Sequence, residues 1–252
     1  HINIGFLRNR LFRLLYPMAA ALVVQTEQAR EIMQGWFPSL KICVLPNAVS
    51  SDDPDERQPS FPLRTLAKIP KDARIIAGMG RLGPEKGFDL LIESFSRVQT
   101  QHPDWHLVIF GEGVDRQKLE HQVWRMGIQD HVHFTGLVYA SRKYLTETDI
   151  FVLSSRYEGF PNVLLEAMSC GLPVVSFNCH YGPCDIIRHA YDGLLVEAEN
   201  VKALEAAMNI MIDVPEYRAK VARNAREVTE RFSVVRIMGL WEQLLVESGS
   251  AK

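Results

Sequence analysis

Glu158 and Glu166 are the first residues in this chain to suggest chemistry. They stand eight positions apart in Tyr157-Glu158-Gly159-Phe160-Pro161-Asn162-Val163-Leu164-Leu165-Glu166-Ala167-Met168-Ser169-Cys170-Gly171. Glu158 follows a buried-strand run, Asp149 to Leu153, and precedes two chain breakers, Gly159 and Pro161. Asn162 is placed to open a helix that carries Glu166 and stops at Gly171, before the strand Pro173 to Phe177. Ligands of open α/β sheets bind where loops leave the C-terminal ends of parallel strands. Free backbone N–H groups at the start of the following helix suit an anion there. One glutamate on such a helix would be an ordinary solvated residue; the whole segment reads as a site.

A second cluster supplies the opposite charge. Gly78-x-Gly80-x-x-Gly83 follows a strand and leads into Pro84-Glu85-Lys86-Gly87. The three glycines formally match the dinucleotide fingerprint, with Glu112 as its ribose carboxylate. Three features oppose that reading. Pro84 and Glu85 interrupt the loop where the helix should begin, Arg81 and Lys86 put two cations on it, and Glu158 and Glu166 are left without a role. Two other patterns are decoys. Asp53-Pro54-Asp55 is a formal D-x-D, yet it lies in a proline-rich stretch with no strand to deliver it. Cys179-x4-Cys184 with His180 between lacks the fourth ligand that tetrahedral zinc needs.

These residues are carried by strands and helices that alternate from end to end, which predicts a parallel sheet covered on both faces. The expected strands are 19–24, 41–45, 73–77, 106–110, 131–135, 149–153, 173–177 and 194–196. Helices are expected over 27–36, from Phe88 onward, up to about Met126, over 201–212 and over 216–232. Phe88, Leu91, Ile92, Phe95 and Val98 recur at helical spacing. A last helix starts near Ser233, a plausible N-cap, and carries Ile237, Leu240, Trp241, Leu244 and Leu245. Residues 50–62 are acidic, contain three prolines and read as a linker.

Taken together, E-x7-E, Gly80-Arg81-Leu82 and Lys86-Gly87 resemble the signatures of the retaining, nucleotide-sugar-dependent group 1 glycosyltransferases of the GT-B fold. The resemblance covers about residues 20 to 250. It implies the C-terminal half of such an enzyme, a Rossmann-like α/β fold. Residues 1–46 would be the tail of the N-terminal, acceptor-side domain and 47–62 a linker. Residues 63–232 would be the donor-binding domain, and 233–252 a helix crossing back. A chain that opens at His1 is accordingly expected to be a fragment.

The resemblance also implies roles. Arg81 and Lys86 would hold the donor diphosphate and stabilise its charge as it leaves, through planar bidentate contacts and a point charge. Glu158 would contact hydroxyls of the donor sugar, and the backbone of Gly159, Phe160 and Pro161, with Asn162 beside it, would lie against sugar and phosphates. Glu166 would grip the ribose. Backbone groups at Leu137 and Val138 would read the base. Gly111, Glu112 and Gly113 would turn the chain near the nucleotide, with Gly80 a further donor-binding residue and Glu112 either structural or hydroxyl-binding. Neither metal nor cofactor is expected, because the nucleotide-sugar, most commonly a UDP-sugar, is a substrate. The acceptor would be a glycan or a lipid-linked saccharide. A non-catalytic nucleotide-sugar-binding module and an NAD-dependent oxidoreductase are the rival readings.

Composition sets the outer bounds. The 252 residues are 47% hydrophobic and 23% charged with a net charge of −2, so bulk nucleic-acid binding is not expected. Four cysteines without a Cys-x-x-Cys pair read as buried free thiols in a reducing cytosol. No signal peptide is visible, and the apolar run 14–24 is too short to span a bilayer. The basic amphipathic segment Arg8 to Leu15 is read as a surface helix, with peripheral membrane association at the cytoplasmic face as the alternative.

Overall fold

The computed structural model describes residues 11, 12, 14–50, 62–139 and 141–249. Asp53-Pro54-Asp55, residues 51–61 of the expected linker and the three arginines of the basic segment lie outside the described residues. The chain divides into two compact units, one comprising residues up to Ala48 together with those from Phe232 onward, the other Val49–Arg231.

In the first unit a 3-10 turn, Tyr16–Met18, precedes β1 (Leu22–Val24), α1 (Glu27–Trp36) and β2 (Ile42–Val44). The strand expected from Ala19 is therefore shorter. Pro17 sits in the first turn of the 3-10 segment, and Ala19 closes it by donating to the Tyr16 carbonyl. Thr26 caps α1, accepting from the Ala29 N–H at 3.1 Å. β1 and β2 run parallel with Leu22 opposite Ile42.

The second unit contains α2 (Leu63–Leu66), β3 (Arg74–Met79), a 3-10 turn (Pro84–Lys86), α3 (Phe88–Gln101), β4 (Trp105–Phe110), α4 (Arg116–Arg125) and β5 (Val132–Gly136). It continues with α5 (Ser141–Leu145), β6 (Ile150–Leu153), α6 (Asn162–Ser169), β7 (Val174–Asn178), α7 (Pro183–Ile186) and β8 (Leu194–Glu197). Helices α8 (Val201–Asp213), α9 (Pro215–Ala225) and α10 (Val228–Arg231) close it, and α11 (Val234–Gly249) belongs to the first unit. Ser233 does cap α11, accepting from the Arg236 N–H at 3.3 Å.

The six strands are parallel in the order β5-β4-β3-β6-β7-β8. Every residue of β4 and of β6 is buried, as strands covered on both faces must be. The apolar stripe of α3 sits in the core, with Leu91, Ile92, Phe95 and Val98 at 0% exposure. Truncating one such side chain, as in Leu91→Ala, costs about 2–5 kcal/mol. The chain winds outward from β3 through β4 to β5, then returns to start β6 on the other side of β3. That reversal opens a crevice at the C-terminal ends of β3 and β6, where ligands of this architecture bind.

The structure corrects two further expectations. The helix expected over 216–232 is two helices, broken at Arg226 and Glu227, where the Glu227 carboxylate accepts from Arg188 and the Tyr191 hydroxyl. Of the four cysteines only Cys179 is buried; Cys184 on α7 is exposed, and Cys43 and Cys170 are half-buried.

Candidate functional site

Backbone contacts between the loops after β3, β4 and β5 come first. Gly80 N–H donates to the Phe110 carbonyl at 3.0 Å, Leu82 N–H to Glu112 at 2.9 Å, and Gly111 N–H to Gly136 at 2.8 Å. These approaches require glycine. Gly111 has φ +135°, and a Cβ there would stand 1.9 Å from the Gly80 carbonyl oxygen. A Cβ on Gly113 would stand 2.2 Å from that of Leu82. Above them opens a cavity of about 780 Å³, lined by Gly80, Arg81, Glu85, Gly111, Glu112, Val114, Leu137 and Val138 among others. Five residues singled out in the sequence (Gly80, Arg81, Glu112, Leu137 and Val138) therefore share one cavity.

Charge at the cavity is paired. Arg81 donates through Nε and Nη2 to one oxygen of Glu85, at 2.9 and 2.5 Å. The Glu85 carboxyl is held below the usual carboxylate range by its own backbone N–H and by Arg81. Glu112 accepts from Arg116 at 2.7 Å, so the carboxylate that a dinucleotide reading would give to a ribose is already engaged by a guanidinium.

The crevice itself is bridged. Lys86, following β3, donates from Nζ to Glu158 Oε1, following β6, at 2.7 Å; the two side chains are 21% and 8% exposed. Ser155 donates to the same oxygen at 2.6 Å. The stem of Lys86 runs beside Gly80, whose Cβ would meet its Cδ and Cε at 3.4 Å, so the bridge adjoins the cavity. Ser154 donates to the Lys86 carbonyl at 3.0 Å, and a Cβ on Gly87 would stand 2.1 Å from the Ser154 carbonyl oxygen. Arg156 donates to Pro84 O at 2.7 Å and forks onto both oxygens of Asp89 at 2.8 and 2.7 Å. Its backbone N–H reaches the Glu85 carbonyl at 2.9 Å. Ser154 and Arg156 thus fix the Lys86 loop against the Glu158 loop, and Ser155 between them holds Glu158.

The remaining predicted residues sit on α6 and its approach. Gly159 and Asn162 are exposed, whereas Phe160 and Pro161 are buried. Pro161 occupies the N-cap position, and Asn162 is the first helical residue. The Glu158 N–H donates to the His180 carbonyl at 3.3 Å, and Gly182, at φ +93°, packs where a Cβ would stand 2.5 Å from Pro161 Cδ. Glu166 Oε2 accepts from Ser141 at 2.8 Å, three positions past the cavity residue Val138. Burial, with the Glu158 charge second, pushes the Cys179 thiol up to about 12, so it stays a thiol. None of Glu158, Gly159, Phe160, Pro161, Asn162 and Glu166 lines the 780 Å³ cavity. Glu158 is joined to its edge through Lys86.

Sequence reasoning missed Ser141, Ser155, Arg156 and Glu85. The only available signal was position: Ser155 and Arg156 stand immediately before Tyr157-Glu158, and Glu85 stands four residues after Arg81. Among the described residues no group of three or more His, Cys, Asp or Glu side chains is arranged to hold a metal ion. No described helix is long and apolar enough to cross a membrane.

Comparison with known proteins gives the family and the fold. The family described as Glycosyl transferases group 1 matches residues 63–228. An uncharacterized glycosyltransferase of Haemophilus influenzae is 29% identical over 97% of this chain and 68% of its own length. The Campylobacter jejuni N-acetylgalactosamine-N,N'-diacetylbacillosaminyl-diphospho-undecaprenol 4-alpha-N-acetylgalactosaminyltransferase is 28% identical over 93% and 62%. The crystal structure of Anabaena Alr3699/HepE in complex with UDP and glucose superposes with a TM-score of 0.80 at 23% identity, over 96% of this chain and 66% of that one. Across four curated relatives the chain spans 24% to 68% of the relative's own length. With the match covering the whole parallel sheet and every site residue named above, the chain belongs to the group 1 glycosyl transferases.

Proposed function

We propose that this chain carries the donor half of a retaining glycosyltransferase, which moves a sugar from a UDP-sugar to an acceptor hydroxyl without a metal. The observation that carries the reading is the Lys86–Glu158 pair, a cation and a carboxylate 2.7 Å apart across the β3/β6 crevice and beside a cavity of about 780 Å³. A nucleoside would occupy the cavity between the glycine loops and Leu137-Val138. Its diphosphate would run toward Arg81 and Lys86, and the sugar would meet Glu158.

In this mechanism the bond between the anomeric carbon and the β-phosphate oxygen breaks as the acceptor oxygen bonds to the same face of the sugar. The acceptor proton passes to the departing phosphate, giving a glycoside and a nucleoside diphosphate. Arg81 and Lys86 stabilise the charge that grows on the phosphate oxygens. Glu158 and Glu166 hold sugar and ribose in place, a contribution of proximity. The UDP and glucose bound in the Anabaena structure support the choice of nucleotide and a hexose donor. The Campylobacter relative, named for a diphospho-undecaprenol acceptor, supports a lipid-linked or glycan acceptor; the setting would be surface polysaccharide assembly at the cytoplasmic face of a membrane.

Calorimetric titration with UDP, GDP, ADP and NAD in EDTA tests the reading. UDP should bind, and Arg81→Ala and Glu166→Ala should each weaken it at least ~10-fold, the usual cost of a lost charged hydrogen bond. NAD binding that survives Glu166→Ala, with no nucleoside diphosphate bound, would overturn it. Transfer assays on a longer protein separate a catalyst from a binding module.

A further inference from the structure

The two carboxylates share an arrangement that the donor-site reading does not require. Glu158 takes two donors, Lys86 Nζ at 2.7 Å and Ser155 Oγ at 2.6 Å, and both fall on Oε1. Glu166 takes one, Ser141 Oγ at 2.8 Å, on Oε2. Among the described residues no hydrogen bond reaches Oε2 of Glu158 or Oε1 of Glu166. Each carboxylate thus has one oxygen fixed by a serine and one open. Ser155 is 1% exposed and its own position is held, since Ser154 beside it donates to the Lys86 carbonyl and Arg156 on its other side is forked onto Asp89. Ser141 opens α5 just after the cavity residues Leu137 and Val138.

We propose that Ser155 and Ser141 are positioning residues, each tying down one carboxylate oxygen so that the other is presented to a ligand hydroxyl. An ionised carboxylate only accepts, and it rotates about its last torsion unless one oxygen is pinned. Pinning makes the open oxygen a fixed acceptor for the donor's hydroxyls. Resting on the donor-site reading above, the proposal divides the ligand between the serines: Ser155 governs the sugar through Glu158, and Ser141 governs the nucleoside through Glu166. A hydroxyl that only filled space would show no such division.

The test is a double dissociation by calorimetry with UDP and a panel of UDP-hexoses and UDP-N-acetylhexosamines, using whichever sugar binds the unaltered chain most tightly. Ser155→Ala should raise Kd for that UDP-sugar about 10-fold, the scale of one hydrogen bond to a charged group, and leave Kd for UDP within about twofold. Ser141→Ala should raise both by a common factor of about 10. Ser155→Thr and Ser141→Thr, which keep the hydroxyl, should recover the original values. Melting temperatures identify any variant that fails to fold, and the alanine pair decides the matter even where a threonine methyl is not accommodated. An unchanged ratio of the two Kd values in Ser155→Ala overturns the proposal, as does a sugar that adds no affinity in the unaltered chain. Loss of affinity only in step with melting temperature reduces both serines to packing and also overturns it. Failure of the unaltered chain to bind UDP or any UDP-sugar removes the donor-site reading itself, a separate outcome visible before any variant is made.

Discussion

The β3/β6 seam is closed by an ion pair at each end, and the two pairs differ in what surrounds them. At the N-terminal end Arg74 donates to Asp149 at 2.7 Å, with side chains 54% and 20% exposed, and the second Asp149 oxygen accepts from the Ile75 N–H at 2.8 Å. At the C-terminal end Lys86 and Glu158 meet at the same distance but are 21% and 8% exposed. Water replaces Arg74, the exposed partner of the first pair, at little cost. Glu158 has no such replacement, so removing Lys86 strands a nearly covered negative charge. The first pair finishes a strand edge, while the second holds charge where the sheet reverses its winding.

The neighbouring strands repeat the contrast. Beyond the C-terminal ends of β4 and β5 stand the charged residues Glu112 and Arg116. Near their N-terminal ends His106 and His133 sit 2.9 Å apart with His131 stacked beside them at a centroid separation of 4.9 Å. Burial first, then the other two imidazoles, pushes His133 down to about 4, and His106 is lowered as well. Beyond the C-terminal ends of β4 and β5 the charges are paired, and near the N-terminal ends burial holds His106 and His133 below the usual imidazole range.

The largest effect is expected at the covered pair. Lys86→Ala should lower stability by about 3 kcal/mol or more, since the uncompensated partner stays buried, and abolish measurable donor binding. Lys86→Met combined with Glu158→Leu should recover the melting temperature but not the binding, read by thermal unfolding and calorimetry. Equal losses for Lys86→Ala and Arg74→Ala would erase the distinction between the two ends. Gly111→Ala comes next, because its Cβ cannot coexist with the Gly80 carbonyl at 1.9 Å and φ of +135° is strained for alanine. A loss of about 2–3 kcal/mol is expected, with the cavity distorted.

The histidine end should respond to acid. His133 has a folded pKa below its unfolded value near 6.5, so the folded state binds fewer protons there. Its contribution is present above about 6.5 and is lost as pH falls toward about 4. Allowing for its partial exposure, the loss is about 1–2 kcal/mol by pH 4. His133→Gln should flatten denaturant midpoints across that window; an unaltered slope would place the acid sensitivity elsewhere. The smallest effect belongs to Arg74→Ala, about 0.5 kcal/mol in urea unfolding, with UDP binding unmoved.

The difference between the two ends was not legible in the sequence, although much of the scaffold was. The apolar period of α3, the glycines after β3 and β4, and the loop between β6 and α6 all carry local signatures of composition or spacing. Helices of one turn, such as α2 and α7, have no period to detect. Lys86 and Glu158 could be named separately, but their pairing spans 72 positions and exists only because β6 returns beside β3. The same holds for Ser141 with Glu166 and for Arg156, whose value lies in reaching Pro84 and Asp89. Cys184 was misjudged because apolar neighbours in sequence do not make a buried neighbour in space.

The stitched loops beneath the cavity carry a consequence for change over time. Where Gly111 and Gly113 bring main chain against the carbonyls of Gly80 and Leu82, there are no rotamers to adjust and no side chain to exchange. Substitution cannot tune that floor; it can only destroy it. Any shift in which ligand the cavity prefers must therefore be written in side chains of its lining, such as those of Val114, Leu137 and Val138.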